Sequence, residues 1–304
     1  MITRSYKDFL EAFENGRFPA DSPAVSRGVF MVEPLDFQLL AESATDNRYM
    51  NLEHFVDNDR AMEQYVRLVS MIRECGIAVK SFIGDSRTPD DIFPNNVFAT
   101  IPGRLIIGHM LHPSRQLETG RQDIRDFFVS GGYELVDLSV ENCVAELTGV
   151  LIIDRARRIG YCGMTRRVDE AGVHAMHEAF DLRCTLQFDL QESEYHTNVI
   201  LSVLASRACV VHAESVQGVG LPRTLATVYK GQVLYLDQAE KEAFAGNCIA
   251  LSNNDLFMSL AAADALRLSS RQLLESWGFR IHACPLDEIE KAGGSLRCMV
   301  AEIF

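Results

Sequence analysis

Apolar residues recur along this chain with two alternating periods, and the switch between them is repeated. Residues 61–82, AMEQYVRLVSMIRECGIAVKSF, carry an apolar face at helical spacing, then Gly76, then a run of strand length. The segment 122–138, QDIRDFFVSGGYELVDL, makes the same step with Gly131 and Gly132 as the stop. HAMHEAFDLRCTLQF at 174–188 makes it without glycine, EKEAFAGNCIALS at 240–252 uses Gly246, and RQLLESWGFRIHACP at 271–285 uses Gly278. Glycine suits these positions because the residue after a helix end often takes positive φ. Five weakly similar units predict an α/β fold with internal pseudo-symmetry. The plainer alternative is that any α/β chain shows helix–glycine–strand steps.

Polar clusters fall at comparable places beyond these units. Asp90-Asp91-Ile-Phe-Pro-Asn95-Asn96 follows the strand ending near Phe82, and Ala145-Glu146-Leu-Thr-Gly149 follows Leu138. Glu194-Tyr195-His196-Thr-Asn198 follows Phe188, and Gly293-Gly294-Ser-Leu-Arg297-Cys298 follows Pro285. Each runs into an apolar, strand-like stretch: VFATI, VLIID, VILSVL and MVAEIF. Equivalent points of a pseudo-symmetric ring converge near its axis. Such a ring gathers a cysteine, a histidine, a glutamate and several amides from distant parts of the chain.

Composition narrows the class. The 304 residues are 47% hydrophobic and 23% charged, enough for a large core. No Pro/Gly/Ser-rich or charge-rich linker divides them, so the chain reads as one domain over 1–304, with 1–27 as a helical extension. A net charge of −13 argues against nucleic acid and anionic membranes as partners. No run approaches the roughly 18 apolar residues of a membrane helix, and the N-terminus lacks a signal-peptide pattern. The eight cysteines contain no CxxC pair and read as reduced thiols in a cytoplasmic protein, most of them small core residues.

Cys298 follows a Gly-Gly-Ser turn, where glycines permit close backbone approach. A nucleophilic cysteine needs an activating partner, because the thiolate is the reactive form. His196 is the best candidate for that partner. Glu146 stands beside VLII, where a carboxylate is costly unless paired, and would orient a histidine. Read singly, Cys298 is also a structural thiol, His196 a satisfied core histidine, Glu146 a strand-end surface acid, and Asn95-Asn96 a turn. The HxxH pairs His109/His112 and His174/His177 lack acidic or cysteine partners at ligand spacing, so no metal is expected.

Together the segments PDDIFPNNVF (89–98), AELTGVLIIDR (145–155), EYHTNVILSV (194–203) and GGSLRCMVAEIF (293–304) resemble the guanidine-modifying, or amidinotransferase, superfamily. A looser match covers 31–50. The resemblance runs from about Phe30 to Phe304 and implies the five-bladed pentein propeller, an α/β fold of ββαβ-type units. It also implies Cys298 as nucleophile, His196 as general acid/base, and Glu146 as the acid pairing with the histidine and a substrate nitrogen. Asn96 stands where the deiminases carry the carboxylate that grips the guanidinium, flanked by Asn95 and Asp90. Asn198 replaces an aspartate of the arginine deiminases. Arg167 in MTRRVD matches an arginine that binds a substrate α-carboxylate, and His109 is a further pocket residue.

The chemistry implied is covalent and needs no metal or organic cofactor. The Cys298 thiolate attacks a guanidino or ureido carbon, His196 protonates the leaving amine, and a water then releases the product. A carboxylate grips a cationic guanidinium, whereas an amide is a neutral donor and acceptor. With Asn96 and Asn198 in place of acids, the expected substrate is neutral citrulline, hydrolysed to ornithine, carbon dioxide and ammonia. Arginine dihydrolase follows, then arginine deiminase or dimethylargininase. A non-enzymatic ribosome-binding propeller is the remaining class, disfavoured by the acidic charge and the retained Cys, His and Glu. A homodimer is compatible with the fold, and the irregular stretch 213–230 is the candidate lid.

Overall fold

The structure, a computed structural model, describes residues 1–304. Its strands form five small sheets. In every sheet one strand pair is antiparallel and the next is parallel. Phe98–Ile101 runs antiparallel to Arg104–Ile107, which runs parallel to Glu134–Asp137. The same order joins Leu151–Asp154, Ile159–Met164 and Cys184–Asp189, and Leu201–Leu204, Ala208–Val211 and Val233–Tyr235. It recurs in Ile249–Ala250, Asp255–Ser259 and Arg280–Cys284. The last sheet closes the chain on itself: C-terminal Ala301–Ile303 pairs with Gly28–Val32, which pairs with Ala78–Phe82.

A parallel pair needs a crossover connection, usually a helix. The five crossovers carry the helices Asn58–Glu74, Gln122–Ser130, Glu170–Ala179, Gly220–Val228 and Leu268–Ser276. Each lays an apolar stripe on the sheets, as Leu68 and Ile72 do in the longest. The buried apolar residues fall into five clusters rather than one. Gly76 and Gly278 do take positive φ at the helix ends, as the spacing predicts. In the step without glycine, Asp181 adopts φ +50° instead, the left-handed conformation that Asp tolerates better than most residues.

Three expectations need correction. The step read at 240–252 is not a crossover: a short helix, Gln238–Glu242, precedes Ile249–Ala250, the first strand of the next sheet. The true crossover helix of that unit, Gly220–Val228, lies inside the stretch read as a lid. It buries Leu221, Leu225 and Val228 and is part of the core. Gly220 and Pro222 at its start and β-branched Thr224, Thr227 and Val228 within it weaken the helical signal. The N-terminal segment is more than an extension. Ile2–Thr3 adds a parallel strand beside Cys184–Asp189, and the helix Tyr6–Glu14 buries Phe9 and Ala12 against the same sheet.

Phe9 is fully buried, between the rings of Phe18 and Tyr161. Truncation to Ala in the core removes transfer energy and leaves a cavity. Phe9→Ala is expected to destabilise the chain by about 3–5 kcal/mol, read from urea unfolding. A loss near zero would mean that the segment is dispensable.

Candidate active site

Short helical turns lead into four of the first strands: Pro94–Asn96, Leu147–Val150, Thr197–Val199 and Leu296–Met299. Asn95 and Asn96 belong to the first, Glu146 caps the second, His196 caps the third with Asn198 inside it, and Cys298 lies in the fourth. In the remaining unit Asn247 occupies the corresponding place, just before Ile249–Ala250. The repeat thus delivers one chemical group per unit to a shared region.

Glu146 is fully buried. Its Oε2 lies 2.7 Å from His196 Nε2 and 3.0 Å from Arg167 Nη1, and its Oε1 accepts from the Leu111 amide at 3.1 Å. Burial by itself pushes this carboxyl up. The Arg167 charge and the His196 hydrogen bond overcome it and hold the group well below the ordinary range. Burial also pushes His196 down, against the pull of Glu146. Gly149 backs the imidazole so closely that a Cβ there would stand 2.8 Å from His196 Cε1.

Cys298 is buried, and burial raises its thiol pKa. Two amides oppose this: Asn247 Nδ2 lies 3.3 Å from Sγ and Asn198 Nδ2 3.6 Å. Asn247 is held in turn, donating to Asn198 O at 2.9 Å and accepting from Arg297 N at 3.0 Å. An amide donor favours the thiolate where a carboxylate at position 198 would disfavour it.

Cys298 and His196 line one narrow cavity with Asp90, Asn96, Arg115 and Arg167. Arg115 lies on no motif, and the sequence reading missed it. It is buried and grips Glu118 through two hydrogen bonds of 2.6 and 2.7 Å. Asn96 is turned to this arginine: with its NH₂ on the Phe93 carbonyl, its oxygen accepts from Arg115 Nη1 at 3.1 Å. Asp90 Oδ2 accepts from Ser43, while Asp90 Oδ1 is buried with no partner. Asn95 lines no part of the cavity; it is bound to Thr148.

Ser43, Asn47 and Met50 also line it, so the segment 43–50, and no residue of 213–230, closes over the site. Two half-buried links hold this cover. Asp46 forms a bidentate pair with Arg167 at 2.7 Å and accepts His112 Nε2 at 3.0 Å. Tyr49 donates to Glu194, which also pairs with buried Lys241. Arg167, expected to meet a substrate carboxylate, therefore already holds Asp46 and Glu146. His109 is not in the cavity; its Nδ1 meets the Glu141 carbonyl, and His112 is the histidine tied to the site. Asp46 and Asn247 were also missed. Only the apolar pair after Asn247, in phase with the other first strands, could have signalled it.

A buried Glu–His pair and an amide-bound cysteine, gathered from equivalent turns, are the groups that a covalent cysteine hydrolase uses. Residues 33–304 match the family model for N,N-dimethylarginine dimethylhydrolase, eukaryotic type. The chain belongs to that family and is a hydrolase acting on guanidino carbon–nitrogen bonds. It is 24% identical over 253 residues to the uncharacterized protein YkgA of Bacillus subtilis, covering 81% of this chain and 82% of that one. It is 23% identical to the bifunctional arginine dihydrolase/ornithine cyclodeaminase AgrE of Nostoc, across 82% of this chain but only 34% of the longer relative. The N-terminal domain of ArgZ, a cyanobacterial arginine dihydrolase, superposes with a TM-score of 0.78 at 20% identity, over 90% of this chain and 97% of that domain. A dimethylarginine dimethylaminohydrolase superposes with a TM-score of 0.69 at 17% identity, over 91% and 100%. No helix is long and apolar enough to cross a membrane.

Removing the Asn247 amide takes away a donor that lowers the thiol pKa. Asn247→Ala is expected to move the midpoint of Cys298 alkylation by iodoacetamide to higher pH. A midpoint that stays put would limit Asn247 to a structural role.

Proposed function

We propose that the chain hydrolyses arginine to ornithine, consuming two waters and releasing carbon dioxide and two ammonia molecules. This reverses the order expected from the amides at Asn96 and Asn198, which favoured citrulline. The observation that carries it is the charge balance around the cavity. Three buried carboxylates, Asp90, Glu118 and Glu146, and the half-buried Asp46 surround two guanidinium groups, Arg115 and Arg167. Burial pushes Asp90 up and Glu118 up to about 8, against the pull of Arg115. A cationic guanidinium would add positive charge there, and a neutral ureido group would not. Asn96 and Asn198, meanwhile, are engaged by Arg115 and the Cys298 sulfur.

In this reading Asp90 Oδ1 accepts a guanidinium N–H. The cation beside Cys298 favours the thiolate, which attacks the guanidino carbon. His196, oriented by Glu146, protonates the departing nitrogen and then takes a proton from the attacking water. The likeness to the arginine dihydrolases supports arginine as substrate. N,N-Dimethylarginine is the second reading, favoured by the family match, with citrulline and dimethylamine as products. We also read the five units as blades about one axis. Their common pairing order and the contacts of Ala301–Ile303 with Phe98–Ile101, and of Leu201–Leu204 with both neighbouring first strands, support this.

Incubation of the purified chain with arginine, citrulline and N,N-dimethylarginine, followed by mass spectrometry, tests the assignment. Ornithine from arginine is expected. Citrulline as the end product from arginine, or ornithine from citrulline alone, would overturn it. A hydrogen bond to a charged group contributes about 1.5–3 kcal/mol. Asp90→Asn is therefore expected to lower kcat/KM for arginine by about 10- to 150-fold. An unchanged value would remove Asp90 from substrate binding.

A further inference from the structure

Phe98–Ile101, Leu151–Asp154 and Ala301–Ile303 follow the turns that carry Asn96, Glu146 and Cys298. At about 3.3 Å per residue, their other ends lie roughly 10–13 Å further on. There Ile101, Pro102, Ile153, Leu182 and the rings of Phe180 and Phe304 line a second cavity, of about 210 Å³. It shares no residue with the catalytic cavity. Pockets for drug-sized ligands run to roughly 300–1,000 Å³, so the occupant of this one is small.

Arg155 and Arg158 bring charge to this apolar space. The Arg155 side chain is 9% exposed. Its guanidinium stands 4.4 Å from the Phe304 ring centroid and 5.7 Å from that of Phe180. Its Nη1 donates to Thr100 O at 3.1 Å, and its Nη2 donates to Glu302 Oε2 at 3.2 Å, which leaves Nε without a protein acceptor. Arg297 Nη2 reaches the same Glu302 oxygen at 3.3 Å. Two buried guanidinium groups thus share one carboxylate oxygen. Burial pushes Arg155 below its ordinary value against the pull of Glu302, and Arg297 pushes the same way. Arg158 pairs with Asp181, and its Nε is buried with no partner. Asp154 is spent on Arg157, and the Phe304 main-chain oxygen is taken by the Tyr133 hydroxyl. Asp181 and Glu302 therefore face Arg155, Arg158 and Arg297. In a chain of net charge −13, this local surplus of positive charge invites an anion.

We propose that the cavity binds a small carboxylic acid carrying an apolar or aromatic group. The carboxylate meets Arg155 through a charge-assisted hydrogen bond. The apolar part packs against Ile101, Pro102 and Leu182, which removes that wall from water. An inorganic anion would leave the wall uncovered, and a neutral apolar molecule would leave the arginines unbalanced. The site lies at the opposite ends of the first strands from Cys298 and takes no part in the hydrolysis itself.

The probe is para-fluorobenzoate, titrated against the full chain and followed by fluorine NMR. One equivalent is expected to saturate the site. The neutral para-fluorobenzamide should bind at least about tenfold more weakly, because it forms no charge-assisted bond. Arg155→Gln should weaken benzoate binding by about the same factor. Equal affinity for the amide, an affinity that Arg155→Gln leaves unchanged, or no saturable binding would overturn the site. If the Arg155→Gln chain does not fold, Ile101→Trp decides, since it keeps the arginine and fills the cavity. Loss of benzoate binding in that chain supports the site, and undiminished binding refutes it.

Discussion

The charge buried at Glu146 governs the site. A carboxylate without solvent is costly unless it is both paired and hydrogen-bonded. Here Arg167 supplies the opposite charge, His196 and the Leu111 amide supply hydrogen bonds, and the group stays ionised. That solution places everything around it. His196 is fixed by the bond to Glu146 and by Gly149 behind its ring. Arg167 reaches past Glu146 to Asp46, so the same ion network anchors the cover over the cavity. Breaking such a network strands a buried charge, which costs far more than the pair itself contributes.

The fold serves this arrangement by repetition. Each unit makes an antiparallel pair, crosses back by a helix and makes a parallel pair, and a polar residue stands just before each first strand. The turns before those strands are therefore equivalent places with different side chains: an amide, a carboxylate, an imidazole, another amide and a thiol. A single unit could not hold an ionised carboxylate, an imidazole and a thiol together in a dry space. The set of equivalent turns does so because their partners arrive from different units.

The balance between sequence and structure is visible in particular residues. The helices at 58–74, 122–130, 170–179 and 268–276 were legible because an apolar face at helical spacing precedes each stop. Gly220–Val228 was not, because glycine, proline and β-branched residues blur its signal while burial of Leu221 and Leu225 still holds it helical. Cys298, His196 and Glu146 were legible through their motifs. Arg115, Asp46 and Asn247 were not. Arg115 lies in a common-looking PSRQLE stretch, and its meaning comes from facing Asp90 and Asn96. Asp46 matters only because Arg167, 121 positions away, turns to it.

By itself the sequence determined the α/β class, the repeated steps and the family, and nominated three residues for the chemistry. These follow from local periodicity and from short motifs whose residues are neighbours in the chain. Only the tertiary structure decided which segment covers the cavity, which amides are already spent on protein partners, and how many carboxylates face how many arginines. It also joined Arg155 to Glu302, which lie 147 positions apart. Each of these outcomes rests on pairing between distant residues, whose energy appears only when burial removes the water that would otherwise satisfy each group separately.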